Sequence, residues 1–321
     1  MTRRLDAGAD PESFGVGGSR PLHRAALFGS PEVVGELARR VPDVDALENG
    51  TTALWDATVA GRTENARALA AAGADPEWIG HGGWTPARLS LAGPEPGLFT
   101  PTGGRPELLG PPGAQPDPLD PPGHRPRLTD AERAVADEGR RLVAALGDFH
   151  YDGLGLASAA GIDAEEAIRR LEATPADREL MASVVADPLD HDMDDILRLV
   201  GVTTVPGGCV VTQPWGYGPS MPGIHTRLST GTVSYGLYAN PKSGNQGSIH
   251  RDGVCEGWDL HPGGGPYAGE TPEQVLFSYV YAHHAVAYCL AYADLRPTDA
   301  RAVLGPPDHW VELPDRDYWA T

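Results

Sequence analysis

Cys209, Cys255 and His250 are the raw material for a Cys–His nucleophile. Such a nucleophile needs its thiol within hydrogen-bond reach of a base. His250 and Cys255 lie on either side of Asp252-Gly253, a dipeptide that favours a tight hairpin. Paired strands would then set the two side chains opposite each other. Each cysteine also suits the plainer role of a small buried residue. His283 and His284 are adjacent, so a helix turns them about 100° apart. They share a metal poorly, and the HExxH pattern is missing. Tyr279, Tyr281, Tyr288 and Tyr292 add polar tips to the same stretch. These tips are either hydrogen-bonded in a core or line a pocket against a sheet face.

Other chemistry-bearing runs have simpler explanations. Asp187-Pro188-Leu189-Asp190-His191-Asp192-Met193-Asp194-Asp195 lacks the glycine that would bend it around a cation. Acidic residues at a helix start are favoured by the helix dipole. Gly216–Ser220 and Pro262–Pro266 are glycine-rich, but neither leads into Lys-Ser/Thr or follows the GxGxxG pattern, and GxSxG does not occur. No metal and no cofactor is expected. The catalytic candidates are His250, Cys255, His283 and His284.

Charge narrows the partners. The 321 residues carry a formal net charge of −19. Sequence-independent nucleic-acid binding needs Lys and Arg against phosphates, and an anionic membrane surface needs the same. Neither partner is expected. Of the basic residues only Lys242 is a lysine; with heavy use of Ala, Gly, Pro and Arg, this is the bias of a GC-rich genome, and an actinobacterial source is expected. Three widely spaced cysteines without CxxC argue against a disulfide framework or zinc knuckle. No apolar run is long enough to span a bilayer, and the first residues lack the apolar core of a signal peptide. A cytoplasmic protein is expected.

The elements that would position these residues fall into two parts. Arg20-Pro21-Leu22-His23-Arg24-Ala25-Ala26-Leu27-Phe28-Gly29 recurs as Thr52–Gly61 and begins again at Thr85-Pro86. Thr52 and Thr85 are N-cap types, and Pro86 suits the first helical position. Val33, Val34, Leu37 and Ala66, Leu69, Ala70 give each second helix an apolar stripe. The signature and its spacing of about 33 residues resemble the ankyrin repeat. The second copy has Trp55 where the family has His, and the third loses the pattern by Gly93. The resemblance covers about 18–99 and implies a protein-docking module. Its fingers would carry Leu47, Glu48, Asn49, Trp78, Ile79, His81 and Trp84. The tryptophans fit either a partner or the rest of this chain. So few repeats need caps: residues 1–18 at one end, and the partial third copy or the C-terminal domain at the other.

Residues 100–127 read as a Pro/Gly-rich linker. Capping boxes at Thr129–Glu132, Asp163–Glu166 and Thr271–Gln274 start helices. Further helices are predicted at about 177–186 and 192–200, and the last box opens one long buried helix to about Leu295. Cys209–Thr212 reads as a strand. Thr230-Gly231 and Asp252-Gly253 read as hairpin turns, the first joining strands at 226–229 and 232–238. Residues from about 150 to 313 are similar to an actinobacterial domain family of unknown function. The likeness rests on Gly161–Leu171, Gly208–Gly216, the 228–240 stretch, Asp252-Gly253 and Gly305-Pro306-Pro307. It implies a fold and no chemistry, and residues 241–266 depart from it.

The expected fold is therefore α+β in two parts. A short all-α ankyrin stack (1–99) and a linker (100–127) precede an α+β domain (128–321), whose helices lie over one face of an antiparallel meander sheet. The leading expectation is an adaptor that binds a protein or peptide through the fingers. Alternatives are an enzyme acting on a peptide or small molecule through a His/Tyr/Cys-lined pocket, with the repeats recruiting substrate, and an acidic immunity or antitoxin-type factor. The oligomeric state is not legible.

Overall fold

Helix pairs recur along the first part of the chain. The structure, a computed structural model, describes residues 10–13, 18–99 and 127–320; the expected linker lies outside them except for Arg127. Helices α1 (Pro21–Phe28) and α2 (Pro31–Ala38) are followed by α3 (Ala53–Val59), α4 (Thr63–Ala71) and α5 (Pro86–Ser90). Thr52 caps α3 by accepting the Trp55 amide at 3.1 Å, and Thr85 caps α5 by accepting the Arg88 amide at 3.2 Å. Leu22, Ala26, Val34, Leu37, Leu54 and Leu69 form the core between the pairs. Buried Asn65 donates to the Ala26 and Gly29 carbonyls at 2.9 and 3.1 Å, so α4 satisfies carbonyls left open at the end of α1. Helix α6 (Asp130–Leu146) opens with the expected capping box: Thr129 Oγ1 accepts the Glu132 amide, and Glu132 accepts the Thr129 amide.

An eight-stranded sheet follows, antiparallel in every pairing. In chain order its elements are β1 (Gly155–Ala160), α7 (Ala164–Leu171), β2 (Thr174–Pro175), α8 (Arg178–Ala186), α9 (Met193–Ile196), β3 (Leu199–Val205) and β4 (Gly208–Gln213). Then come α10 (Pro222–Leu228), β5 (Val233–Asn240), β6 (Gly244–Arg251) and β7 (Val254–Leu260). The chain continues through α11 (Pro272–Val280), α12 (Ala285–Tyr292), α13 (Arg301–Leu304) and β8 (His309–Glu312). The strand order is β2-β8-β3-β4-β1-β5-β6-β7. Only β5-β6-β7 is a meander; β1 and β8 are inserted from distant parts of the sequence.

Both faces of this sheet carry helices, not one as expected. On one face Ala157, Ala159, Val202, Cys209 and Val211 pack with α7 and α10. On the other, Tyr235 meets Tyr288 and Tyr292 of α12, and Thr212 donates to the Val303 carbonyl of α13 at 3.0 Å. Strands covered on both sides lose the alternating pattern that marks a half-exposed strand.

Three further expectations are corrected. Residues 226–228 belong to α10, started by Pro222 at its first position, and Ser229 is its C-cap, so none of them forms a hairpin strand. The helix expected over 192–200 is only α9, and β3 begins at Leu199. The long helix from 272 to 295 is two helices. His283 takes φ 66° between them and donates its amide to the Gly263 carbonyl at 2.8 Å. An apolar run that long fits one helix or two equally well.

The chain divides into two units, 1–138 with 265–282, and 139–264 with 283–321. The expected boundary at 128 therefore misplaces α11, which belongs with the helix pairs. There, Val275, Leu276 and Tyr279 pack with Trp55, Trp84, Leu89, Ala92 and Ala136. Among the described residues no helix is long and apolar enough to cross a membrane.

Candidate functional site

Two loops of the helix-pair unit build the candidate partner surface. In the first, Glu48 and Thr51 exchange backbone hydrogen bonds of 2.9 and 3.0 Å. Asn49 (φ 51°) and Gly50 (φ 85°) make the turn between them, in the conformation that hairpins of this length require. The Asp45 carboxylate accepts the Asp75 amide at 3.1 Å, which ties this loop to the next. Leu47 is 50% exposed and Ile79 69% exposed. Asn49 is also exposed.

Of the other expected finger residues, Trp84 is buried and Glu48, Trp78 and His81 are half-buried. Glu48 accepts the Ser19 hydroxyl and the Arg20 amide, each at 2.5 Å. Burial raises the Glu48 carboxyl pKa, but these hydrogen bonds outweigh it and the net direction is down. Trp84 is 1% exposed; its indole N–H donates to the Pro272 carbonyl at 2.9 Å, and the Arg88 guanidinium lies 4.2 Å from its ring centre. Trp78 is half-buried, edge-on to Trp55 at 6.2 Å, and His81 is edge-on to Trp55 at 5.4 Å. Of the two readings open to the tryptophans, Trp84 takes the internal one, while Trp78 and His81 are half-buried against Trp55. The end of a short stack is itself a large apolar surface, and aromatic side chains supply the most buried area per residue.

The Cys–His candidates are brought close in the backbone and separated in chemistry. His250 and Cys255 are register partners on β6 and β7, as the turn implies. His250 is fully buried and neither of its ring nitrogens has a hydrogen-bond partner, so no Cys255 thiol is engaged. Cys255 is exposed and its thiol donates to the Gly257 carbonyl at 3.4 Å. His283 and His284 are exposed at the break between α11 and α12. Burial, then the neighbouring His283, lower the His284 pKa. Burial pushes the Cys209 thiol up to about 12 and raises that of Cys289 as well. A thiol held protonated is a poor nucleophile.

Sequence reasoning missed the actual neighbour of His250. His225 of α10 stacks on it with ring centres 5.1 Å apart and planes 21° from parallel. His225 Nδ1 is 2.7 Å from Ser234 Oγ of β5, while its Nε2 has no hydrogen-bond partner. A side chain at Gly236 would collide with the His225 ring, so the glycine is what admits it. Burial lowers the His225 pKa to about 3, His250 adds to the shift, and the Pro219 carbonyl opposes it. Burial also lowers that of His250. Ser234 and His250 are register partners on β5 and β6, which no expected hairpin paired, and the arrival of His225 is a tertiary event.

No protein-family model matches the chain, and no curated protein does. The arrangement of side chains remains as the guide to chemistry. The histidine pair is neutral and sealed from water, which suits neither a general base nor a nucleophile's partner. Among the described residues no group of three or more His, Cys, Asp or Glu is placed to hold a metal. In the run 187–195, Asp187 accepts the Leu189 amide at 3.0 Å and Asp192 accepts the Asp194 amide at 2.9 Å. Both act as caps at short helical turns.

Proposed function

We propose that this chain is a cytoplasmic binding protein that docks a protein or peptide through the finger loops of an ankyrin-type stack. The observation that carries the reading is the exposure of Leu47 and Ile79 on two successive loops, held together by the Asp45–Asp75 hydrogen bond. A rigid loop presenting an aliphatic side chain loses little conformational freedom on binding. The burial of His250 and its separation from Cys255 supports binding over catalysis.

The test is a charge placed at each tip. Intact protein and the Leu47→Glu/Ile79→Glu double variant are used as baits in extracts of the source cells. A partner recovered with the intact bait and reduced about tenfold or more with the variant is the expected result, since two desolvated anchors contribute more than 1 kcal/mol each. Both residues are exposed, so the melting temperature should stay the same. Equal recovery by both baits would remove the finger loops from the binding surface.

A further inference from the structure

The sheet unit contains a cleft that the reading above does not use. It encloses about 370 Å³ between α9, the turn after β4 and the segment after β8. One buried side chain fixes two of its walls. Gln213, at the end of β4, donates from Nε2 to the carbonyls of Ile196, Leu197 and Leu199 at 2.9, 3.1 and 2.9 Å. Its Oε1 accepts the Gly218 amide at 3.0 Å. A side chain at Gly218 would collide with the Leu197 carbonyl, so the glycine lets the turn close on α9. The third wall is pinned where the Gly223 amide donates to the Tyr318 carbonyl at 2.8 Å.

The lining is aromatic and negative. Tyr217 and Trp319 lie with ring centres 5.9 Å apart, tilted by 37°. Trp319 is 54% exposed at the cleft. Asp194, Asp195, Asp315 and Asp317 also line the cleft, and among the described residues none of them makes an ion pair. Arg198 and Arg316 line it too, but each is already neutralised from outside. Arg198 pairs with Glu312 at 3.5 Å, and Arg316 is held by both carboxylate oxygens of Glu172 at 3.2 and 2.9 Å. The unneutralised charge facing the cleft is therefore that of the four aspartates.

We propose that this cleft binds an organic cation, a guanidinium or ammonium group carried by a basic peptide or by a free amine. A tryptophan face attracts such a group through its quadrupole, more strongly than any other side-chain ring. Carboxylates around that face supply the charge-assisted hydrogen bonds that orient it. An anion would meet four repelling carboxylates, and its two arginines are occupied.

Calorimetric titration of the full chain at low salt tests this with three probes: arginine amide, a short peptide containing arginine, and the same peptide with citrulline in its place. Binding of arginine amide, of the arginine peptide, or of both is the expected result, with no heat from citrulline. Binding of the peptide alone identifies a peptide source, and of arginine amide alone a free amine. Trp319→Ala should weaken binding about fivefold or more, and Trp319→Phe should restore part of it. Asp194→Asn/Asp195→Asn, which preserves shape, should weaken it comparably, and added salt should do so in the intact protein. No heat from either cationic probe, equal binding by the variants, or tighter binding of inorganic phosphate than of arginine amide would overturn the proposal. Because all these residues lie outside 10–99, the finger variant Leu47→Glu/Ile79→Glu should bind the cations normally.

Discussion

His225 and His250 are two imidazoles stacked in a protein interior with three ring nitrogens unpaired. An ionised imidazole there would have no carboxylate to neutralise it; the partner at 2.7 Å is the Ser234 hydroxyl. The folded chain therefore holds His225 down to about 3 and His250 below its ordinary value, burial being the main cause in each. In the unfolded chain both titrate near 6.5. Lowered folded values mean that the unfolded state takes up protons first as pH falls. Stability from this pair is present above about pH 6.5 and is lost progressively as pH drops from there toward about 3. Once below 6.5, one such histidine removes about 1.4 kcal/mol per pH unit. Urea unfolding at pH 7.5, 6.5 and 5.5 should show the midpoint falling across this range, with a shallower fall in His225→Asn. A midpoint independent of pH would mean that the rings reach water in the folded protein.

At the scale of elements, Gln213 links α9, the start of β3 and the turn after β4 through four hydrogen bonds. Gln213→Met keeps the length of the side chain and removes all four. The Leu197 and Leu199 carbonyls and the Gly218 amide then lose this partner in a buried place, at about 1–3 kcal/mol for each left unsatisfied, while the Ile196 carbonyl still accepts the Trp215 indole N–H at 3.4 Å. A drop of at least about 2 kcal/mol in unfolding free energy is expected, with loss of arginine-amide binding at temperatures where the variant remains folded. Unchanged stability would mean that water replaces the amide. Nothing in the sequence marks Gln213, because its partners lie on a different element. The caps at Thr129, Asp163 and Thr271 were legible for the opposite reason: each is a contact within four residues, although at Asp163 only the N-cap half of the expected box forms, because Glu166 pairs with Arg169 and Arg170. The hairpin at Asp252-Gly253 was legible too, since φ of 50° and 78° at these two positions is what the dipeptide favours. Strand β1, Gly-Leu-Ala-Ser-Ala-Ala, carries little β-propensity. It is a strand because β4 and β5 pair with it on both sides. The candidate site divides in the same way. Leu47 and Ile79 sit on turns that local signals reveal, whereas the burial of Trp84 depends on α11, far along the chain.

For the whole molecule, the consequence lies in how the helix pairs are completed. A repeat buries its apolar face only against a neighbour, so a short stack is unstable unless both ends are covered. Here the last pair ends in Trp84 and Leu89, and the covering element is α11, which the chain supplies only after the strands through β7. Val275 approaches Gly82 so closely that a side chain there would clash, and Trp84 hydrogen-bonds to the first residue of α11. Residues 18–138 made alone would expose Trp84, Leu89 and Ala136, and removing a tryptophan's packing partners costs on the order of the 3–5 kcal/mol seen when such residues are cut from cores. That is a large part of what a domain this small can hold. The fragment should unfold without a cooperative transition and show red-shifted tryptophan emission. Adding residues 265–282, as a separate peptide or through a flexible linker, should shift the emission to the blue and restore a cooperative transition. A variant peptide with Val275→Asp and Leu276→Asp should not. If the fragment unfolds cooperatively without α11, the helix pairs are self-sufficient and α11 packs on a stack that has no need of it. If the intact peptide restores the transition, the unit that carries the finger loops exists only after the strands between have been made, and its folding waits on the later half of the chain.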